Sequence, residues 1–292
     1  MNQTIASSWR DYLELTKPGV QALLFVSCIS GMLIGSKFSP PLSIFIFGLL
    51  GISFLAASAA VINHIFDSEI DAKMNRTSSR PLVKGSITEF SASIFAAVLY
   101  ISGSLMLLVY VNALTWILTS LTFIFYAFIY TRYLKFMTSQ NIVIGGLAGA
   151  MPPLLGWTAV SNTIEPNAWL LVLIVMVWTP PHFWALAVYR VDDYAEAAVP
   201  MLPVQKGVAF TKQHIVLYTL LLLASTMLPY AVGMFQELYL VAALILGLGF
   251  LYFSIKLYRD DTNASAMQTF AYSISYLAAL FGAMLVDQYL YL

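Results

Sequence analysis

Nine stretches of this chain are long and apolar enough to cross a membrane, and no other feature restricts the fold as much. About 20 apolar residues span the hydrocarbon core. By that ruler the stretches lie near residues 20–35, 42–65, 90–110, 114–133, 142–160, 168–189, 215–235, 238–257 and 270–290. In lipid the backbone must bond to itself, and apolar runs of this length do so as helices. The expected fold is all-α: a polytopic integral membrane protein with nine transmembrane helices in one membrane-embedded domain, residues 1–292. Composition agrees, with 60% apolar and 10% charged residues, against about a quarter charged in soluble domains.

Other classes fall away. The 14 basic and 14 acidic side chains balance, so no net field draws nucleic acid. The single cysteine, Cys28, permits neither a disulfide framework nor a thiolate metal cluster. Residues 1–19 carry Asp11 and Glu14 and no apolar core, unlike a secretory signal or transit peptide. They are expected to form a cytoplasmic N-terminal segment in a bacterium.

Positive charge sets the orientation. Thirteen of the 14 Lys and Arg residues fall in the N-terminal segment and the loops after spans two, four, six and eight, while the opposite loops hold only Lys37. Cytoplasmic loops retain such residues. The expectation is a multi-pass protein of the bacterial cytoplasmic (inner) membrane, N-terminus cytoplasmic and C-terminus periplasmic. Two long inner loops, 66–89 and 190–214, follow spans two and six. Their equivalent placement suggests two parallel four-helix repeats plus a ninth helix, with both loops serving a cytoplasmic active site.

The first long loop opens Asn63-His-Ile-Phe-Asp67-Ser-Glu-Ile-Asp71. If the second helix runs on, Asn63, Asp67 and Asp71 drift only about 40° per step and share one face. Stacked oxygen ligands suit Mg2+, which takes one or two carboxylates and completes its shell with water and phosphate. A solvated acidic helix end is the plainer alternative. Against it, the C-terminus of a helix disfavours carboxylates by roughly 0.3–1 kcal/mol each. Arg76, Arg80 and Lys84 follow directly. They are either ordinary inner-loop cations or, beside a metal, groups that grip a diphosphate.

The second long loop holds Asp192, Asp193 and Glu196, a second acidic motif in which Asp192 is a candidate metal ligand. Inside the sixth span lies Trp178-Thr-Pro-Pro-His182-Phe-Trp184. Paired prolines bend a helix and free backbone groups, and an ionisable ring within a span marks a candidate functional site. The alternative for His182 is a neutral ring bonded to a neighbouring helix. His64 carries a weaker signal, and His214 reads as a loop residue.

These residues carry a resemblance. The Asn and two Asp at four-residue steps, followed by the Arg-rich stretch, resemble the UbiA-type intramembrane prenyltransferases over nearly the whole chain. The blocks from Tyr130 to Trp157, Trp178 to Ala187 and Asp192 to Pro203 are similar to the branch of that family that farnesylates haem. Many superfamily members have Asp-x-x-x-Asp in the second acidic motif, which Asp192 with Glu196 only approximates. Relatives often have Gly where Ala198 stands.

The resemblance implies a central cavity open toward lipid and capped on the cytoplasmic side. It implies transfer of farnesyl from farnesyl diphosphate to a vinyl group of haem B, with addition of water. The cofactor implied is Mg2+, held by Asp67, Asp71 and Asp192, with Asn63 beside them. Arg76, Arg80, Lys84, Lys135 and Tyr130 are expected at the diphosphate, and Tyr126 with Tyr130 around a carbocation. Trp178, His182 and Trp184 are expected at the haem. Contact with haem A synthase or with terminal oxidase assembly is a further expectation. The competing readings are a related enzyme acting on an aromatic or quinone precursor and, more distantly, a secondary transporter. Transporter sites lie near the midplane, whereas these carboxylates sit at span ends.

Overall fold

The structure, a computed structural model, describes residues 8–74 and 77–292. Among these residues the regular structure is entirely helical. In chain order the helices are α1 (Trp9–Leu15), α2 (Pro18–Gly35), α3 (Leu42–Asp71), α4 (Pro81–Lys84), α5 (Glu89–Tyr110), α6 (Ala113–Met137), α7 (Asn141–Ser161), α8 (Pro166–Tyr189), α9 (Val191–Glu196), α10 (Leu202–Lys206), α11 (Val208–Ala231), α12 (Glu237–Arg259) and α13 (Ala266–Leu290). Nine are long and apolar enough to span: α2, α3, α5, α6, α7, α8, α11, α12 and α13. The protein is a multi-pass membrane protein of all-α class, as expected.

Two boundaries differ most from the sequence reading. Helix α3 continues to Asp71, and α11 begins at Val208, so His214 lies on a helix, its ring 3.9 Å from that of Phe210. In both places the helix outruns its apolar stretch, and the polar turns beyond it read as loop. The expected loop 190–214 also contains α9 and α10.

The centre of the bundle is α7 and α8, whose apolar windows are 72% and 78% buried, against 22% for α5 and α6. Pro180 and Pro181 lie within α8 without ending it, because this helix packs on neighbours rather than on lipid. Helices α2 and α7 cross backbone to backbone. A Cβ on Gly31 would lie 2.0 Å from the Pro153 carbonyl oxygen, and one on Gly156 2.1 Å from that of Cys28. Only glycine permits this approach.

Polar side chains close the helix ends. Asn112 caps α6 by accepting from the Thr115 N–H at 2.8 Å, and its amide donates to the Thr158 and Ala159 carbonyls of α7. Asp287 of α13 is fully buried. It accepts the N–H groups of Gln236 and Tyr239 at 2.8 and 2.9 Å and so caps α12 from a neighbouring span.

Between α9 and α10, Ala198 has φ 53°. This left-handed conformation costs an L-residue roughly 1–2 kcal/mol, of which glycine gives back roughly 0.5–1 kcal/mol through its freer unfolded chain. Ala198→Gly is therefore expected to stabilise the protein by roughly 0.5–1 kcal/mol, raising the midpoint by about 1–3 °C. Thermal unfolding in detergent measures this, and an unchanged or lower midpoint would contradict it.

Candidate active site

Helices α2, α3, α6, α7, α8 and α13 enclose a cavity of about 590 Å³. Its mouth is charged and its depth is apolar. At the mouth stand Lys17, Asn63, Asp67, Asp71, Arg80 and Lys135; the floor is built from Cys28, Ile52, Leu155, Val175 and Leu277. From Asp67 down α3 to Ile52 is 15 residues, about 22 Å at 1.5 Å per residue.

Because α3 runs unbroken to Asp71, its three polar residues share one face. Asn63, Asp67 and Asp71 are 3%, 4% and 4% exposed, so each requires partners. Asp67 pairs with Lys135 at 2.8 Å, and Asp71 pairs with Arg80. The Asn63 amide donates to Asp67 Oδ2 at 2.9 Å and to Thr131 Oγ1 at 3.1 Å, and its oxygen accepts from Lys17. Three cations from three chain regions thus converge on one helix face.

Lys17 was not distinguished from the other inner-loop cations by sequence. It precedes Pro18 and has φ 54° and ψ 61°, a left-handed conformation that costs a non-glycine residue roughly 1–2 kcal/mol. That backbone turns its ammonium into the cavity. A lysine directly before a proline at the mouth of a span was the available signal.

The lower half of α6 adopts π-helical geometry over Phe125–Leu134, a conformation frequent at functional sites. Thr131 Oγ1 donates back to the Tyr126 carbonyl at 2.8 Å. The rings of Tyr126 and Tyr130 stack at 5.7 Å and 18° along the cavity. Gly145 of α7 makes room for them, since a Cβ there would lie 2.2 Å from the Tyr130 ring.

Other expected site residues fall elsewhere. Arg76 lies outside the described residues. Lys84 is exposed at the end of α4, and Asp192 and Glu196 are exposed on α9. Asp193 pairs with Arg190 at 3.3 Å. None of these four lines the cavity. From that loop it is Tyr194, Val199 and Met201 that do; the turn of α9 directs its tyrosine inward and its carboxylates outward. The carboxylates of the expected second acidic motif are thus not brought to the cavity wall.

His182 lines the cavity. Its ring is sandwiched between Trp178, at 4.3 Å and 17°, and Phe270 of α13, at 4.5 Å and 22°. Its Nδ1 meets Ser273 Oγ at 2.6 Å, so it is bonded to a neighbouring helix and also faces the cavity. Trp184 lies about 200° further round α8 and packs on Tyr218 instead. His64 is buried, and neither ring nitrogen has a partner among the described residues.

Among the described residues no cluster of three or more acidic, His or Cys side chains gathers as a metal cage. Asp67 and Asp71 alone fit Mg2+ only if a phosphate ligand completes the shell, which is that ion's usual habit. Both carboxylates are held by cations that the same phosphate could accept.

Residues 24–281 match the UbiA prenyltransferase family. The protoheme IX farnesyltransferase of Saccharophagus degradans is 53% identical over 284 residues, 97% of this chain and 94% of that protein. The protoheme IX farnesyltransferase of Alcanivorax borkumensis is 54% identical over 284 residues, with the same coverage. Among solved structures, a digeranylgeranylglyceryl phosphate synthase superposes with TM-score 0.79 at 23% identity, covering 96% of this chain and 98% of that one. A UbiA homologue from Archaeoglobus fulgidus bound to DMAPP and Mg2+ superposes with TM-score 0.67 at 15% identity, covering 94% and 99%.

Proposed function

This chain belongs to the UbiA prenyltransferase family, and from that membership we propose that it transfers farnesyl from farnesyl diphosphate to a vinyl group of haem B, with addition of water, releasing diphosphate. The observation that carries the reading is the pair of buried carboxylates, matched by Lys17, Arg80 and Lys135, at the mouth of a deep apolar cavity. The identity of more than half the residues with protoheme IX farnesyltransferases supports the choice of haem as acceptor.

Asp67 and Asp71, with Asn63 beside them, would hold Mg2+, which when bound neutralises charge on the departing diphosphate. Lys135 and Arg80 exchange their carboxylate partners for diphosphate oxygens, and Lys17 joins them from the turn before α2. Guanidinium and ammonium groups in a water-poor site stabilise that charge strongly. The farnesyl chain descends into the apolar depth. An extended chain of that length measures about 15 Å, at about 1.25 Å per bond along its axis, less than the roughly 22 Å of α3 between the lining residues Asp67 and Ile52. The faces of Tyr126 and Tyr130 shelter the allylic cation, and the scarcity of water there protects it until the vinyl group attacks. The haem lies against Trp178 and His182.

The deciding experiment incubates purified protein with haem B, farnesyl diphosphate and Mg2+ and weighs the porphyrin. A gain of one farnesyl group and one hydroxyl is expected. An unaltered porphyrin together with prenylation of an aromatic acid would assign the chain to another acceptor.

The site's mouth is placed in the cytoplasm, with the whole protein in the bacterial inner membrane; loops 66–89 and 190–214 face inward with it. The thirteen-to-one charge bias supports this. A reporter after Leu292 is expected to signal from the periplasm and one near Ser79 from the cytoplasm. A cytoplasmic C-terminus would overturn the orientation. Haem A synthase or an oxidase assembly factor is the partner class suited to receive the product.

A further inference from the structure

The hydrogen bonds around His182 fix its tautomer. Ser273 Oγ carries one proton, and it lies 2.6 Å from the Phe270 carbonyl oxygen. A carbonyl only accepts, so the serine proton points there. The contact of 2.6 Å between Ser273 Oγ and His182 Nδ1 then requires Nδ1 to be the donor. Nε2 is left with a lone pair, and no described residue bonds to it. The ring cannot turn away, being clamped between Trp178 and Phe270.

One turn back on α8, Thr179 also lines the cavity. Its hydroxyl proton goes to the Val175 carbonyl at 2.8 Å, so its oxygen too is free only to accept. Spacing of three residues puts both acceptors on one helix face. They stand at the level of the tyrosines, since Thr179 packs on Gly146 and Tyr130 on the adjoining Gly145.

Building on the proposed haem farnesylation, we infer that His182 Nε2 and Thr179 Oγ1 together hold the water that enters the product, and that His182 is the base that takes its proton. A water giving both protons to these acceptors turns its own lone pairs into the cavity. When the vinyl carbon has bonded to farnesyl, the neighbouring carbon is a cation. The water oxygen donates a pair to it, one O–H bond breaks, and the proton passes to Nε2. The carbon gains a hydroxyl and the imidazole becomes imidazolium, which the Trp178 face stabilises.

The test reads product composition. Without the base, the cation loses a proton from its neighbouring carbon and gives an alkene lighter by one water. His182→Phe, which keeps the aromatic sandwich, is expected to lower the ratio of hydrated to unhydrated farnesyl-haem by about a hundredfold. Thr179→Val is expected to lower it about tenfold, and farnesyl diphosphate binding should stay normal in both. Should His182→Phe fail to fold, Thr179→Val alone decides. A wild-type ratio in the folded variants would overturn the inference while leaving haem farnesylation intact. A wild-type protein that never farnesylates haem would instead overturn the reading beneath it.

Discussion

Asp67→Asn and Asp71→Asn are each expected to lower farnesyl transfer about a thousandfold or more, because an amide cannot balance a divalent cation on a diphosphate. Each change also strands a cation: Lys135 loses its 2.8 Å partner in the first variant and Arg80 its ion pair in the second. A chelator added to the wild type is expected to give the same loss. Glu69 provides the control, since it sits on the same helix but is exposed. Glu69→Gln is expected to retain turnover within about twofold, as surface changes away from a site usually do. Mass analysis of the porphyrin measures turnover, and size-exclusion with circular dichroism checks folding. Undiminished product from either folded Asp variant would remove the α3 carboxylates from the chemistry.

The second large effect concerns the fold. Gly156→Val is expected to prevent recovery of folded protein, with a cost of at least about 3 kcal/mol. Its Cβ would meet the Cys28 carbonyl at 2.1 Å, and a backbone oxygen cannot rotate aside as a side chain can. Helices α2 and α7 would have to separate, and both line the cavity. Gly282→Ala is the matched control, because nothing lies within 4 Å of that Cβ. A helix gains from alanine over glycine, so this variant should be at least as stable as the wild type. Thermal unfolding of both in the same detergent settles the comparison, and a stable Gly156→Val protein would refute the close crossing.

How far the sequence revealed the site depends on helix phase. The i, i+4, i+8 spacing of Asn63, Asp67 and Asp71 marked one face of a long helix, and that face is the one turned to the cavity. In α9 the same reasoning had only six residues to work with, too few to fix which side faces inward, and the tyrosine rather than the carboxylates lines the cavity. Trp184 was legible in principle: two residues from His182 is about 200° of rotation. The turn of Lys17 depends on a left-handed backbone that its sequence neighbours do not favour. The π-helical geometry of α6 left no trace, since its apolar pattern fits an ordinary helix as well. Span number was easy because hydrophobic length is a local property. Ends were harder because polar turns continue helices beyond the lipid.

The buried cap on α12 has a consequence for how the protein is made. The acceptor for the Gln236 and Tyr239 N–H groups is Asp287, 51 residues downstream of Gln236. At a synthesis rate of about 5–20 residues per second, roughly 3–10 seconds separate the two. During that interval the first turn of α12 has no acceptor from its own chain, so it stays in contact with water or with the insertion machinery. Seating of α12 is therefore coupled to the arrival of α13, and the two spans enter the bundle as a pair.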